Sequence, residues 1–334
     1  MNTTRTINLK NRPKGKPELT DFEFSTTEIP ELQEGEILLS TKYVSVDPYL
    51  RGRMSDAPSY VEPFKLNKPI VSGIIAEVLE SKNTNFNKRD NVSGMLQWKE
   101  TQVAKADGLI KVDPDKAPLS AYLGILGMTG LTAYLGLTEI GKPKKGEALL
   151  VSGAAGAVGS VVGQIGKILG LRVVGIAGTD EKVEILKSEF GFDEGINYNT
   201  TENMSEAIAK ACPEGVDVYF DNVGGEISDA VFTNINKGAR IIICGQISLY
   251  NNTETPLGPR PQPIILKKSA LMQGFIVGNY ASRFPEGVLQ LTQWLDEGKL
   301  TYQETIIKGF DKLPEAFIGL FEGRNTGKML VEIE

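Results

Sequence analysis

Residues 148–167, ALLVSGAAGAVGSVVGQIGK, decide the fold of this 334-residue chain. An apolar run that suits a buried strand is followed by small residues and then by an amphipathic helical pattern. Small residues let the backbone approach a pyrophosphate, and a helix N-terminus offers N–H groups and positive potential. Gly153, Gly156 and Gly159 follow the strand and open the helix, so we predict a dinucleotide-binding turn. A tight strand-to-helix turn without a ligand is the alternative.

The pattern on either side of this turn predicts two domains. From about residue 145, apolar strands alternate with amphipathic helices, which predicts an α/β fold with a doubly wound parallel Rossmann sheet of about six strands at residues 126–297. Residues 1–125 alternate short β-rich runs with turns, and the tail at 298–334 returns to strands around one short helix. Together these two segments are expected to form a mainly β, GroES-like barrel domain. The irregular segment 251–263 is expected to be a lid or a partner contact.

Composition excludes several classes of function. The chain is 41% hydrophobic and 23% charged, which is typical of a soluble globular protein, and its net charge of -6 offers no surface for nucleic acid. The first residues are polar, and no run reaches the ~18 apolar residues of a membrane span. We therefore expect a cytoplasmic protein with no membrane contact.

The sequence contains no histidine. This absence removes Ser-His-Asp and Cys-His catalysis and every metal site that needs an imidazole. The two cysteines, Cys212 and Cys244, lie too far apart in the sequence for a structural zinc cluster, so no metal is expected. Cys244 lies in the apolar run IIICG, where a buried, inert thiol is the expectation.

The end of the second predicted strand bears on cofactor preference. A site that prefers NAD places an acid there for the ribose hydroxyl, and this chain has Asp180 in the run Ala177–Lys182. We interpret Asp180 as a helix N-cap or first-turn acid, and a ribose contact remains the alternative. Lys182 and Tyr198 suit the 2′-phosphate of NADP, although an exposed lysine without a role explains Lys182 equally well.

Eight motifs resemble one family over nearly the whole chain. They are DPYLRGRM (47–54), GMTGLTAYLGL (127–137), SGAAGAVGSVVGQIGK (152–167), AGTDEKVEILKSEFGFD (177–193), YFDNVGGE (219–226), ICGQISLYN (243–251), GFIVGNY (274–280) and GRNTGK (323–328). In this order they resemble the prostaglandin reductase/leukotriene B4 12-hydroxydehydrogenase family of zinc-free medium-chain dehydrogenases/reductases. Relatives of that family include plant double-bond reductases and bacterial curcumin reductases.

The resemblance implies NADPH/NADP+ as cofactor and a homodimer. It implies a pyrophosphate contact at Gly156, Ala157, Val158 and Gly159, and a 2′-phosphate contact at Lys182 and Tyr198. It implies further cofactor contacts at Asn222, Cys244, Gly245, Ser248, Tyr250, Phe275, Ile276, Val277 and Asn325. Taken one at a time, DNVGG and RNTG are also ordinary turn sequences, and GFIVG is an ordinary buried strand.

The resemblance also implies a catalytic role for Tyr250, beside the nicotinamide ribose and the substrate carbonyl. A phenol can donate a hydrogen bond to a developing oxyanion without a metal. Tyr49, Met128 and Tyr280 are candidates for the pocket wall, and Met128 would also suit a core position. The activity implied is reduction of the carbon–carbon double bond of α,β-unsaturated aldehydes and ketones. The alternatives are an NADPH-dependent quinone reductase of the same superfamily and a nucleotide-binding protein without catalysis.

Overall fold

A computed structural model describes residues 3–333 of the chain. Its strands are β1 (Thr3–Leu9), β2 (Phe22–Glu28), β3 (Glu36–Ser45), β4 (Lys68–Pro69), β5 (Val71–Ser81), β6 (Asn91–Gln97), β7 (Thr101–Lys105), β8 (Ile110–Val112), β9 (Ala148–Ser152), β10 (Arg172–Ala177), β11 (Glu194–Asn197), β12 (Val216–Asp221), β13 (Ile235–Ile243), β14 (Leu271–Gly274), β15 (Glu304–Lys308) and β16 (Lys328–Glu332). Its α-helices are α1 (Leu50–Arg53), α2 (Met128–Leu135), α3 (Gly159–Ile168), α4 (Asp180–Ser188), α5 (Met204–Ala211), α6 (Gly225–Phe232), α7 (Gln262–Lys268), α8 (Phe284–Asp296) and α9 (Leu313–Leu320).

The chain divides into two compact units. The first consists of the residues up to Leu123, the segment Thr305–Asn325 and the chain from Met329 onward. The second consists of Gly124–Glu304 with Thr326–Lys328. None of the helices in residues 3–333 has the length and apolarity needed to span a bilayer.

The second unit contains a six-stranded sheet with the order β11-β10-β9-β12-β13-β14, and its strand pairs are parallel. All five residues of β9 are buried, because helices cover both faces of a parallel sheet of this kind. The chain moves outward from β9 to β11 and then returns to β12 on the other side of β9. Open α/β sheets bind ligands at such a reversal, beyond the carboxyl ends of the strands. The predicted doubly wound sheet is confirmed.

The first unit is mainly β, as predicted. A seven-stranded sheet has the order β15-β16-β3-β5-β6-β8, with β7 paired to β3, and a three-stranded sheet has the order β2-β1-β4. Buried and less buried residues alternate along most of β3, the pattern of a strand with one face on the core. Trp98 is fully buried in that core, and its indole N–H donates to the Ser72 hydroxyl at 2.9 Å.

Element boundaries differ from the sequence predictions in two places. The sequence pattern predicts a helix near 226–236, but α6 ends at Phe232, because Asn234 turns the chain and Ile235 already pairs with Val216 in the sheet. The side-chain amide of Asn234 donates to the carbonyl of Ala230, which is one of the last carbonyls of α6. The irregular segment predicted at 251–263 is irregular as far as Pro261, where α7 begins to form.

Candidate active site

The glycine turn follows β9 and leads into α3. Gly153 has a φ of +60°, and a Cβ on Gly159 would lie 2.4 Å from the Gly153 carbonyl oxygen, so this bend accepts only glycine at position 159. Ala157 and Val158 are half-buried between these glycines. The Ser160 and Val162 N–H groups at the start of α3 donate to the carbonyls of Gly156 and Val158 at 3.1 and 3.0 Å, and the positive end of the helix dipole suits an anion. The residue just before β16 supports the turn: the Gly327 N–H donates to the Ala155 carbonyl at 2.8 Å, and Gly327 forms an isolated β-bridge with Gly156.

The end of β10 carries the two residues expected at a 2′-phosphate. The Tyr198 side chain is 43% exposed and lies against Gly178, where a Cβ would come within 2.8 Å of the Tyr198 hydroxyl. Lys182 is half-buried in the first turn of α4, and burial lowers its pKa. Both side chains therefore flank the carboxyl end of the second strand of the sheet.

Asp180 is a first-turn acid, one of the two roles expected from the sequence. The N-cap is Thr179, whose hydroxyl accepts the Lys182 backbone N–H at 3.2 Å. One carboxylate oxygen of Asp180 accepts a 2.7 Å hydrogen bond from the Asn197 side-chain amide. The carboxylate is thus held by Asn197, across the end of the neighbouring strand β11.

At the end of β12, Asp221 forms the densest polar network of this region. Its carboxylate is fully buried, and Oδ1 accepts hydrogen bonds from the hydroxyls of Ser152 and Tyr219 at 3.0 and 2.9 Å. The backbone N–H groups of Val223 and Gly224 also donate to Oδ1, at 3.1 and 2.9 Å. Burial, with the Asp221 charge as the next cause, raises the pKa of Tyr219 well above its ordinary value, so this phenol is a donor. Asp221 was not predicted from the sequence, although an acid that ends the apolar strand VYFD is a signal for such a network.

Asn222 connects this network to the glycine turn. Its side-chain amide donates to the Ser152 carbonyl at 2.8 Å, and its backbone N–H donates to the Ser152 hydroxyl at 3.0 Å. Ser152 is the last residue of β9, so the ends of β9 and β12 are joined directly. The predicted cofactor residue Asn222 therefore lies beside the predicted pyrophosphate turn.

After β13, the segment Cys244–Tyr250 packs against the turn that follows β12. The N–H groups of Cys244 and Gly245 donate to the Asp221 carbonyl at 2.9 and 3.0 Å. The hydroxyl of Ser248 donates to the Val223 carbonyl at 2.7 Å. Tyr250 is half-buried, and its phenol oxygen accepts the Gln246 backbone N–H at 3.3 Å.

Cys244 is half-buried rather than buried, which corrects the sequence expectation. The residue stands just beyond the last position of β13, where the chain leaves the sheet. Its sulfur is nevertheless enclosed, and burial, followed by the nearby charge of Asp221, raises the pKa of the thiol to about 12. The thiol is therefore protonated at neutral pH and inert as a nucleophile. Cys212 is the fully buried cysteine.

Five more predicted residues lie in the segment after β14 and at the start of α2. Phe275 is buried, and its N–H donates to the Ile243 carbonyl at 3.0 Å. Its ring lies 5.3 Å from the ring of Tyr280, tilted by 41°. Ile276 is 38% exposed, Val277 is half-buried and begins a short 3₁₀ segment, and Met128, the first residue of α2, is 39% exposed. The core position considered for Met128 is therefore wrong.

Two predicted residues belong to the first unit. Tyr49 is half-buried and immediately precedes α1, and burial together with the Asp47 charge raises the pKa of its phenol. Asn325 is half-buried. In the sequence it directly precedes Thr326–Lys328, which belong to the second unit.

The residues of the second unit fit a dinucleotide. The glycine turn has no side chains that would keep a pyrophosphate away from the backbone at Gly156 and Gly159. The strand order places this turn at the reversal of the sheet. No group of three or more His, Cys, Asp or Glu side chains that could hold a metal ion occurs within the described part of the chain.

Two family models match the chain. The N-terminal domain of oxidoreductases matches residues 5–112, and a family described as zinc-binding dehydrogenase matches residues 157–294. The second description names a metal, but this sequence has no histidine.

Relatives match over almost their full lengths. The YfmJ protein of Bacillus subtilis (strain 168) is 56% identical over 98% of this chain and 97% of its own. Prostaglandin reductase 1 of Bos taurus is 45% identical over 97% of both chains, and the NADP(+)-dependent 2-alkenal reductase of Nicotiana tabacum is 41% identical over 99% of this chain and 98% of its own. The crystal structure of CurA from Vibrio vulnificus in complex with NADPH superimposes with a TM-score of 0.95, at 44% identity over 99% of each chain. The chain therefore belongs to the prostaglandin reductase family of medium-chain dehydrogenases/reductases.

Proposed function

We propose that this protein is an NADPH-dependent oxidoreductase that reduces the carbon–carbon double bond of α,β-unsaturated aldehydes and ketones. One observation carries the proposal: Ser152, which directly precedes the glycine turn, Asn222 and the Tyr250 phenol belong to one hydrogen-bonded cluster around Asp221 at the ends of β9, β12 and β13. Relatives named prostaglandin reductase and 2-alkenal reductase, which are at least 41% identical over nearly the whole chain, support the same chemistry.

We assign cofactor binding to the domain of residues 126–297. The N-terminus of α3 and the turn Gly156–Gly159 would hold the pyrophosphate, and Lys182 with Tyr198 would hold the 2′-phosphate. Asp180 is engaged with Asn197, which favours the phosphate over a ribose hydroxyl at this position. Further contacts are proposed at Asn222, Cys244, Gly245, Ser248, Phe275, Ile276, Val277 and Asn325.

When bound, NADPH supplies the hydride, which adds to the β-carbon of the substrate. The electrons of the double bond then move toward the carbonyl, and negative charge develops on its oxygen. Tyr250 stabilises that charge by donating its phenol hydrogen to the oxygen. The α-carbon is then protonated by solvent or by a proton relay, so the product gains one hydride and one proton. Tyr49, Met128 and Tyr280 are proposed to contact the substrate.

A substrate panel tests this function. Purified protein is mixed with NADPH and, in turn, with an alkenal, an alkenone and a quinone, and NADPH absorbance is followed while products are identified by mass spectrometry. We expect the alkenal and alkenone to be converted to saturated carbonyl compounds. Faster turnover of the quinone would favour the quinone reductase alternative, and binding of NADPH without oxidation by any acceptor would favour a protein without catalysis.

We further propose a cytoplasmic homodimer. β14 is the last strand of the six-stranded sheet, and its Leu271 and Met272 side chains are 47% and 41% exposed. An edge strand that exposes apolar side chains is an aggregation hazard unless it is covered, and a second copy would cover it. Light scattering should give twice the mass of the chain, and Met272→Lys should reduce it to that of one chain. An unchanged mass for this variant would place the interface elsewhere.

A further inference from the structure

We propose that Gln246 is a positioning residue that orients the Tyr250 hydroxyl, with the buried Asp221 carboxylate as its anchor. The inference rests on the proposed catalytic role of Tyr250. It adds a reason why this phenol would point toward a substrate oxygen in one fixed direction.

The anchor is the Asp221 carboxylate, which six neutral groups hold in place. Four donors reach Oδ1, and the Ser228 hydroxyl and the Gln246 side-chain amide reach Oδ2 at 2.7 and 3.0 Å. A buried carboxylate satisfied in this way cannot rotate without losing several hydrogen bonds at once. Asp221 is therefore a fixed point at the end of β12.

The side chain of Gln246 is held between this anchor and its own backbone. Its Nε2 donates to Asp221 Oδ2 and to the Gly245 carbonyl, both at 3.0 Å. Its Oε1 lies beside Gly224, and a Cβ added to Gly224 would come within 2.2 Å of this oxygen. Gly224 has a φ of +73° and leaves the room that this amide needs. The conformation of Gln246 is thus determined by the turn that follows Asp221.

The backbone of Gln246 transmits this restraint to Tyr250. The Gln246 N–H donates to the Tyr250 oxygen at 3.3 Å, a long hydrogen bond that still faces one lone pair of the phenol. The hydroxyl hydrogen of Tyr250 must then point away from Gln246. Donation to the phenol oxygen also polarises its O–H bond, which makes the hydroxyl a better donor to an oxyanion.

A double-mutant cycle tests the route from Gln246 to Tyr250. Gln246→Met keeps the length of the side chain and removes its amide, and Tyr250→Phe removes the hydroxyl. With NADPH and an alkenone saturating, we expect Gln246→Met to lower the single-turnover rate roughly three- to thirtyfold, since small errors of position are costly in catalysis. In the Tyr250→Phe background the same substitution should change the rate less than about twofold. Equal losses in both backgrounds would overturn the proposal, because Gln246 would then act without the hydroxyl.

Gln293→Met is the matched control. Gln293 lies on α8 and is exposed, and its amide donates to the Glu297 carboxylate at 2.7 Å, so the control also removes an amide–carboxylate hydrogen bond. It should leave the rate unchanged. If Gln246→Met fails to fold, as judged by its thermal melt, Gln246→Ala replaces it in the same cycle.

A readout that needs no turnover separates this proposal from the proposed function. A single 3-fluorotyrosine at position 250 gives one ¹⁹F resonance that reports the surroundings of the phenol. Gln246→Met should shift or broaden this resonance, and Gln293→Met should not. An unmoved resonance would overturn the positioning role even in an active enzyme. A moved resonance in a protein that reduces no enone would instead keep the positioning role and contradict the proposed reaction.

Discussion

The two ends of the six-stranded sheet hold charged side chains in different ways. At the amino end, the Glu147 carboxylate pairs with the Arg240 guanidinium, whose Nε also donates to the Gly141 carbonyl at 2.8 Å. At the carboxyl end, Asp221 accepts hydrogen bonds from six neutral groups, of which the Val223 and Gly224 N–H groups and the Gln246 amide lie in the loops that carry Asn222 and Tyr250. An ion pair neutralises its own charge, and removing one partner destabilises the fold because the other charge is left uncompensated. The Asp221 network is built from neutral donors and fixes loop positions, so we assign function to the carboxyl end and stability to the amino end.

Removing the Tyr250 hydroxyl should give the largest effect at the carboxyl end. Loss of one oxyanion donor typically costs about 3 to 4 kcal/mol, although water can replace a phenol in an open site. Tyr250→Phe should therefore lower enone turnover by about tenfold to a thousandfold while NADPH binding, measured by fluorescence, stays nearly intact.

Tyr122→Phe is the control for that measurement. The Tyr122 hydroxyl donates to the Asp113 carbonyl at 2.8 Å in the first unit, and its loss should leave turnover unchanged. Turnover of Tyr250→Phe at the parent rate would remove Tyr250 from the chemistry. A collapse of NADPH affinity together with the rate would move its role to cofactor binding.

Removing the Lys182 charge beside the end of β10 should have the next largest effect, on the affinity for NADPH. Lys182→Ala removes a charge-assisted contact worth roughly 1.5 to 3 kcal/mol, so the dissociation constant for NADPH should rise at least tenfold while that for NADH changes little. Lys187→Ala, on the exposed last turn of the same helix, should change neither constant. Equal losses for NADPH and NADH in Lys182→Ala would show that Lys182 does not discriminate between the cofactors.

Breaking the pair at the amino end should change stability and leave the reaction alone. Arg240→Met leaves the Glu147 carboxylate without its guanidinium partner. Because the Arg240 and Glu147 side chains are only 16% and 19% exposed, this loss should cost about 1 to 3 kcal/mol of unfolding free energy in urea at neutral pH. The dissociation constant for NADPH should stay at the parent value. A large loss of NADPH affinity would contradict the division of roles between the two ends.

The pair of Glu147 and Arg240 should also make the free energy of unfolding depend on pH. Burial alone would raise the pKa of Glu147, but hydrogen bonds from Arg240 and from the Lys144 amide, together with their charges, lower it below its ordinary 4.5. A depressed folded-state pKa contributes stability above the unfolded value, and that contribution is lost as the pH falls through the folded value. The difference in unfolding free energy between the parent and Arg240→Met should therefore shrink below about pH 4.5. A difference that stays constant with pH would show that packing, rather than charge, accounts for it.

Metal removal should give no effect at either end. The sequence lacks histidine, and the proposed chemistry needs only a hydrogen-bond donor for the oxyanion. Dialysis against a strong chelator should leave enone turnover unchanged. A loss of activity that added zinc restores would contradict this prediction.

The contrast between the two ends also explains what the sequence could predict. The parallel sheet was predictable because strands buried on both faces are continuous apolar runs, as in β9. The residues of the candidate site came from motifs that lie at strand ends. The Asp221 network was not predicted, since its donor Ser152 is 69 positions away and Gln246 belongs to another loop. The partnership of Arg240 with Glu147, 93 positions apart, was hidden for the same reason.

The reaction itself is tested most directly by the position of the transferred hydride. The protein is supplied with an alkenone and with NADPH that carries deuterium at the transferable position of the nicotinamide, and the product is analysed by NMR. We predict a saturated ketone with deuterium on the β-carbon, formed in equal amount to the NADPH consumed. Deuterium on the carbonyl carbon of an allylic alcohol, or no consumption of NADPH with any enone, would contradict the proposed reduction of the carbon–carbon double bond.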